Sequence, residues 1–506
     1  MRHFDTVVIG AGNAGLASAA ALQRGGSKTL LLERHNIPGG CATSFVRGEF
    51  EFEVALHQLS GLGTEERPFI MRKIFDQLGV MDKVEFVQEH SLYRMIVPGE
   101  IDVSLPASWS GLRYTLQDMF PEESEAIASF LQLCEKITIE AYVGLPQARK
   151  MKSETLLKAQ CPHFVKYGFK SVQVVLDEFF RNDKLKHILS PYWTYGGVPP
   201  SIMQFPDLAQ MIYAYAAFKP WHIKGGSQAM SNALLESFLE AGGTVHFNCG
   251  AEKILTSGGR VHAVRLESGE TVTCEAVVSN ASPILTFNEL LDIETPPATV
   301  HKDFKSRRMG TSAFVIYMGL DCTPEQLGIT DASSFIYESL DEDAIFERMS
   351  TLESPLGGML TCYNLEDSDF APKGKSQVVL VCLQYGEKWK SVPPEQYAET
   401  KYAFAEKLID LVAKVYPKIR DHIEEVEVAT PLTMMRYLNT PDGAIYGFQQ
   451  TPQDSNLMRE RLDAVPGLYM AGSWTSVGGF QPTYMAGEAT ARAVLKKLKT
   501  EEVAYA

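Results

Sequence analysis

The chain has 506 residues, 45% hydrophobic and 22% charged, an ordinary globular balance with room for two large domains. Forty-seven Lys and Arg against 62 Asp and Glu leave a net charge of −15, which excludes the broad cationic field of a nucleic-acid binder. Eight cysteines, none in a C-x-x-C pair, exclude a disulfide scaffold and a zinc ribbon, so a reducing, cytoplasmic setting and no metal site are expected.

Met1-Arg2-His3-Phe4-Asp5 runs straight into an apolar strand, and no signal peptide is expected. No apolar run reaches the roughly 20 residues that span a bilayer. Thr6 to Ile9 reads as a buried parallel strand, followed at once by Gly10-Ala11-Gly12-Asn13-Ala14-Gly15 and then by a small, apolar helix from Leu16 to Leu22. Strand, G-x-G-x-x-G and helix form the context in which such a loop binds a dinucleotide. Gly10 allows the tight turn, Gly12 lets a pyrophosphate approach the backbone, and Gly15 lets the helix pack on the sheet. The N–H groups of Asn13 and Ala14 open that helix, whose N-terminus favours phosphate. Thr29 to Leu32 reads as the second strand. It ends at Glu33, an acid suited to ribose hydroxyls and so to FAD or NAD rather than NADP.

Pro38-Gly39-Gly40-Cys41-Ala42-Thr43-Ser44 is a second glycine-rich loop, and its closeness to Glu33 suits a longer ligand lying across the sheet. Glu33-Arg34 followed by Pro38-Gly39-Gly40 resembles the second motif of FAD-dependent amine-oxidase-like and phytoene-desaturase-like flavoproteins. Phe52-Glu53-Val54-Ala55-Leu56-His57 resembles the stretch that follows it there. The resemblance implies non-covalent FAD, with Arg34, Gly39, Gly40, Cys41, Ala42, Ser44 and His57 at the cofactor.

Two further blocks resemble the same family. Lys224-Gly225-Gly226-Ser227, the helical Met230 to Leu239, and Ala251 to Ile254 are similar to its return to the cofactor domain, where backbone near Ala251 meets adenine. Pro466-Gly467-Leu468-Tyr469-Met470-Ala471-Gly472-Ser473, then Gly478-Gly479 and a helix expected from Pro482 past Ala491, resemble its C-terminal block. Gly472, Ser473, Pro482 and Thr483 would then stand at the flavin, the helix end stabilising negative charge on the reduced ring. Ser473 replaces the family's usual Asp, and its hydroxyl can bond ribityl oxygens without a carboxylate's charge-assisted strength. The last cysteine, Cys382, lies far before Gly472, which excludes a C-terminal thioether to the flavin.

The fold implied is α/β: a discontinuous Rossmann-like FAD domain (1–70, 222–290 and 455–506) with a mixed α+β substrate domain (71–221 and 291–454). Thr430-Pro431-Leu432-Thr433 and Tyr437 to Gly447 resemble the carotenoid isomerase and retinol saturase branch more than the amine oxidases. That branch implies an apolar polyene substrate and hydride transfer at flavin N5. Met203 to Trp221, rich in Met and aromatics, fits either a substrate wall or plain core. Residues 149–170 carry six Lys and Arg against Glu154 alone, interleaved with apolar residues, and read as a peripheral membrane contact or a solvated lid helix.

His57 is the first candidate proton donor, with Tyr446 second; a structural histidine and an inert wall residue are their plainer alternatives. Tyr484 is offered by the same motifs as flavin wall. No second dinucleotide motif occurs, so electrons are expected to pass to or from oxygen, a quinone or a separate reductase. Two other readings stay open: an amine-oxidase-like enzyme on a small substrate, and a non-catalytic prenyl-binding relative of GDP-dissociation inhibitors.

Overall fold

A computed structural model describes residues 2–55, 57–293, 297–454, 464–475 and 477–505. Leu56 and 455–463, parts of two expected blocks, lie outside the described residues.

The first unit is built on a seven-stranded sheet in the order Ala251–Ser257, Arg260–Leu266, Thr271–Ser279, His3–Ile9, Thr29–Leu32, Thr244–His246. Leu468–Met470 pairs with the far half of Thr271–Ser279. The central pairings are parallel, as crossover helices require. Val7, Val8, Leu30, Leu31, Val277 and Val278 are wholly buried because helices or further strands cover both faces. The helix Asn13–Arg24 lies between Gly226–Glu240 and Phe480–Tyr505. Gly487 makes the last contact tight, since a β-carbon there would meet the Ala14 carbonyl oxygen at 2.3 Å.

The second unit is a seven-stranded sheet in the order Ile423–Ala429, Ser312–Leu320, Ser376–Gln384, Gly357–Cys362, Ser333–Tyr337, Ser91–Val97, Ile101–Pro106. Only the Ser333–Tyr337 pairing with Ser91–Val97 is parallel. Along Ser312–Leu320 the side chains alternate between two cores. Phe314, Ile316 and Met318 pack with Leu408 and Val412 of the helix Tyr397–Ala413. Ala313, Val315 and Tyr317 face a helical layer from 109–218. A strand buried on both faces needs no polar alternation, which is why this one reads as a continuous apolar run.

Two boundaries differ from the sequence reading. Met71, Ile74, Phe75, Leu78 and Val84 join the first unit's core, and Phe86–Gln88 pairs with Trp221–Ile223, so the first segment runs to about residue 88 rather than 70. The hairpin Ser44–Arg47 and Phe50–Glu53 goes the other way: Phe50 and Phe52 are buried in the second unit beside Tyr317. Both shifts follow from long-range apolar contacts that carry no local signature.

Candidate active site

The strand His3–Ile9 ends in a glycine cradle. Gly10 turns at φ +90°, and a β-carbon on Gly15 would lie 1.8 Å from its carbonyl oxygen. Gly12 caps the first helix with no side chain, and no acid sits in the first turn, so the leading N–H groups at Asn13 and Ala14 have no intrahelical partner. The Oδ1 of Asn13 is buried without a partner there. The second loop folds over the first: the Gly39 N–H donates to the Ala11 carbonyl at 2.8 Å, and Gly40 passes so close that its β-carbon would meet Gly12 Cα at 3.3 Å. Ser231 holds the loop through Ala42, donating to its carbonyl at 2.7 Å.

Glu33 stands at the outer end of this cradle. One of its oxygens accepts the Ala11 N–H and the other the His35 N–H, both at 2.7 Å. Two N–H donors leave further lone pairs on a carboxylate for hydroxyls. The Cys249 N–H donates to the Glu33 carbonyl at 3.0 Å, which brings Ala251, the first residue of its strand, alongside the same end. Arg34 and Ser44 point elsewhere. The Arg34 guanidinium donates to the Arg436 carbonyl at 2.6 Å and ties the loop to the second unit. Ser44 spends its hydroxyl on Glu51 in the hairpin.

The third side comes from the C-terminal block. Gly472 turns at φ +105°, and the amide of Asn280 bridges the two loops: its Oδ1 lies 2.6 Å from a β-carbon built on Gly472, and its Nδ2 lies 2.8 Å from one built on Gly12. Any other residue at either position would displace it. The sequence reading gives Asn280 no role. Ser473 lies beside Gly447, whose β-carbon would meet the Ser473 carbonyl oxygen at 3.1 Å. Gly478 and Gly479 lead into a helix that begins at Phe480, two residues before the expected Pro482. The Thr483 hydroxyl turns back to the Gly479 carbonyl at 2.8 Å and steadies this entry. Tyr446 closes the cradle; a β-carbon on Gly478 would overlap its own at 2.6 Å. Tyr484 is fully buried, edge-on to Phe75 at 5.2 Å.

Beyond Tyr446 the second unit supplies a packed aromatic cluster. The Tyr195 ring lies between those of His57 (6.3 Å) and Tyr192 (5.2 Å), with Tyr215 and Phe335 near it at 6.1 and 5.8 Å. His57 Nδ1 pairs with the Thr361 hydroxyl at 2.5 Å. Burial lowers its pKa to about 4, so the imidazole is neutral at pH 7 and is no reserve of imidazolium protons. Burial likewise holds the Tyr446 hydroxyl protonated and pushes the Cys41 thiol up to about 12, with Glu53 adding to the latter. Asp207 opens the helix Phe205–Phe218, on the face that carries Met211 and Tyr215, and burial raises its carboxyl to about 7. Phe205, Leu208, Ala209 and Ile212 of the same helix are plain core.

The cluster missed entirely is centred on Glu89, 1% exposed, which accepts from the Gln58 amide at 2.6 Å. It lies between two strands with no flanking motif, so no local signal marks it.

A parallel sheet with a glycine cradle at its C-terminal edge, faced by an aromatic cluster from a second unit, is the plan of a two-domain, dinucleotide-dependent enzyme. The chain belongs to the flavin containing amine oxidoreductase family, whose model matches residues 13–495. It is 27% identical to the all-trans-retinol 13,14-reductase of Danio rerio, over 94% of this chain and 83% of that protein. It is 25% identical to the chloroplastic prolycopene isomerase of Daucus carota, over 93% and 76%. Among solved structures, an oxidoreductase from Methanosarcina mazei has TM-score 0.63 and 16% identity, covering 98% and 99% of the two chains. The cyclohexylamine oxidase of Brevibacterium oxydans has TM-score 0.60 and 15% identity, covering 98% and 100%. The chain is thus a flavin-dependent oxidoreductase or isomerase of the expected family. No helix among the described residues is long and apolar enough to cross a membrane.

Proposed function

We propose that this chain binds FAD non-covalently and acts on carbon–carbon double bonds of a long apolar isoprenoid, retinoid or carotenoid in type. The residues fit the cofactor. Gly12, Asn13, Ala14, Gly40 and Gly472 frame a space for pyrophosphate, where a side chain would intrude and the buried Asn13 Oδ1 lacks a partner. Glu33 would accept ribose hydroxyls, and the Cys249–Ala251 backbone would meet adenine. Gly478, Gly479 and the following helix end would meet the flavin ring. Bound there, the flavin supplies hydride chemistry at N5.

The observation that carries the substrate class is the buried aromatic cluster beyond Tyr446, in which the rings of Tyr195, Tyr215, Tyr192, Phe335 and His57 pack together. His57 is neutral, and the tyrosines keep their protons, so this wall stays uncharged at pH 7. An uncharged aromatic wall suits an apolar polyene and excludes water from it. The names of the relatives agree with this reading.

An entry route fits as well. A surface cleft of about 180 Å³ is lined by Phe169, Lys170, Ile202, Gln204 and Arg308. Gln204 caps the helix whose Asp207, Met211 and Tyr215 lead inward. Phe169 at the cleft is exposed, as are Val143, Met151 and Val165 earlier in the same stretch, among Lys150, Lys152, Lys158 and Lys166. This apolar, basic surface suits anionic lipid and a membrane-dissolved substrate. Electrons come from or go to an external partner: oxygen, a quinone or a reductase.

The test is the absorption spectrum of the purified protein, oxidised and dithionite-reduced, with and without a retinoid or carotenoid. A flavin spectrum and a shift of the polyene bands with reduced protein are expected, with product analysis separating saturation from isomerisation. Flavin with no polyene change, and peroxide released with amines, would move the assignment to a small-substrate oxidase. No flavin at all would move it to a binding protein.

A further inference from the structure

We propose that Asp321, Cys322 and His422 form a zinc site at one end of the second sheet, with water as the fourth ligand, and that the metal acts as a structural clip. The inference goes beyond the polyene reading and does not depend on it.

Two strand ends make the site. Asp321 and Cys322 follow the strand Ser312–Leu320, and His422 ends the short turn Ile419–His422 that leads into Ile423–Ala429. These strands pair antiparallel with Leu320 opposite Ile423, so the residues meet although 101 positions separate Asp321 from His422. No spacing motif marks them. The backbone fixes the junction: the Asp321 N–H donates to the His422 carbonyl at 3.0 Å, and the Ser376 hydroxyl donates to the Cys322 carbonyl at 2.8 Å.

The side chains then bring three different ligand types together. A carboxylate oxygen, a sulfur and an imidazole nitrogen, one from each residue, all lie within 4.8 Å of one another. Asp321 Oδ1 and His422 Nδ1 are 2.7 Å apart. Tetrahedral zinc, with bonds of about 2.3 Å to sulfur and about 2.0–2.1 Å to nitrogen and oxygen, holds its ligands about 3.3–3.6 Å apart. The Asp–His pair therefore has only to part slightly to admit the ion. An ion pair accounts for two of the three groups but not for Cys322. That residue is 2% exposed, and among the described residues its thiol has no hydrogen-bond partner.

The ligand chemistry selects the metal. One sulfur, one nitrogen and one oxygen suit zinc, whereas magnesium and calcium take oxygen alone. Carboxylate and thiolate bring two negative charges, which a divalent cation cancels, and the thiol proton passes to solvent on binding. Asp321 is exposed and leaves the outer side open to water, while Cys322 closes the inner side. Cys322 belongs to the core of Phe314, Leu408 and Val412, across the sheet from the aromatic cluster, so the role is structural. Ile423–Ala429 is the edge strand, and the metal would tie its start to the neighbouring strand and close the long loop between them.

The full chain, stripped with a chelator, is titrated with zinc and with cobalt. About one zinc per chain should survive gel filtration and raise Tm. Cobalt should give a sulfur-to-metal charge-transfer band in the difference spectrum. Cys322→Ser should abolish that band, and both Cys322→Ser and His422→Gln should weaken zinc binding by more than about a hundredfold. His422 is partly exposed, so His422→Gln keeps the test readable if Cys322→Ser folds poorly. No zinc retained by the parent, equal retention by both variants, or a cobalt spectrum without the sulfur band overturns the proposal. These readouts need neither flavin nor polyene, so failure of the substrate reading leaves them standing.

Discussion

Gly15 sits so close to Gly10 that a single added carbon would lie 1.8 Å from the Gly10 carbonyl oxygen. This contact sets the first helix against the end of the first strand and aims its N-terminus at the cradle. Gly15→Ala is expected to cost about 1–3 kcal/mol of stability and to yield protein without flavin. The ratio of flavin to protein absorbance after purification measures this; full occupancy would show that the cradle tolerates the shift.

Glu33 holds two backbone N–H groups with its two oxygens. Glu33→Gln can accept only one of them and loses the charge, a loss of about 1.5–3 kcal/mol. Lower thermal stability and release of flavin on dilution should appear together. Loss of stability with unchanged flavin affinity would mean that Glu33 serves the loop alone.

His57 has a folded-state pKa of about 4, below the usual 6.5. Its contribution to stability is therefore complete above about pH 6.5 and is lost as pH falls towards 4. His57→Asn should lose less on acidification, the gap in Tm to the parent changing by about 2–4 °C between pH 7 and pH 4.5. A kcat/KM profile with a limb near 6.5 that vanishes in His57→Asn would contradict the neutral imidazole.

Asp207 behaves in the opposite sense. Burial raises its folded pKa to about 7, so the folded protein keeps a proton that the unfolded chain has released. Stability then falls as pH rises from about 4 to 7. Asp207→Asn should be the more stable protein at pH 8, by about 1–2 °C in Tm, and nearly equal to the parent at pH 4. Equal melting at both values would show that the carboxyl is better solvated than its position implies.

Met151 is 65% exposed and Phe169 59% exposed, in the basic stretch beside the cleft. If this face meets lipid, Lys150→Glu with Lys152→Glu should reduce binding to phosphatidylserine vesicles at least about thirtyfold, near 1 kcal/mol for each Lys lost. Flotation at low and high salt is the measurement. Equal flotation of parent and variant, or none by the parent, would leave the stretch as a solvated lid.

The amino-acid sequence by itself determined the cofactor side. Gly10, Gly12, Gly15, Glu33 and the Gly39-Gly40 loop carry their requirement locally, because a tight turn, a close approach or a lone acid after a strand needs those residue types at that spacing. The same holds for the parallel strands, whose apolar runs announce burial on both faces. Arg34 and Ser44 were assigned by likeness, and their side chains took nearer partners, Arg436 and Glu51. Only the tertiary structure decided the buried cluster beside the cradle. Gln58, Glu89, Tyr195, Tyr215 and Thr361 come from five separate stretches, and none has a spacing relation to another. Their meeting depends on how the hairpin Ser44–Glu53 crosses into the second unit and how the helix Phe205–Phe218 packs over its sheet. The same burial also sets the chemistry, since it keeps His57 neutral and denies Glu89 a counter-ion. Desolvation is a property of the whole fold, and no local run of residues encodes it.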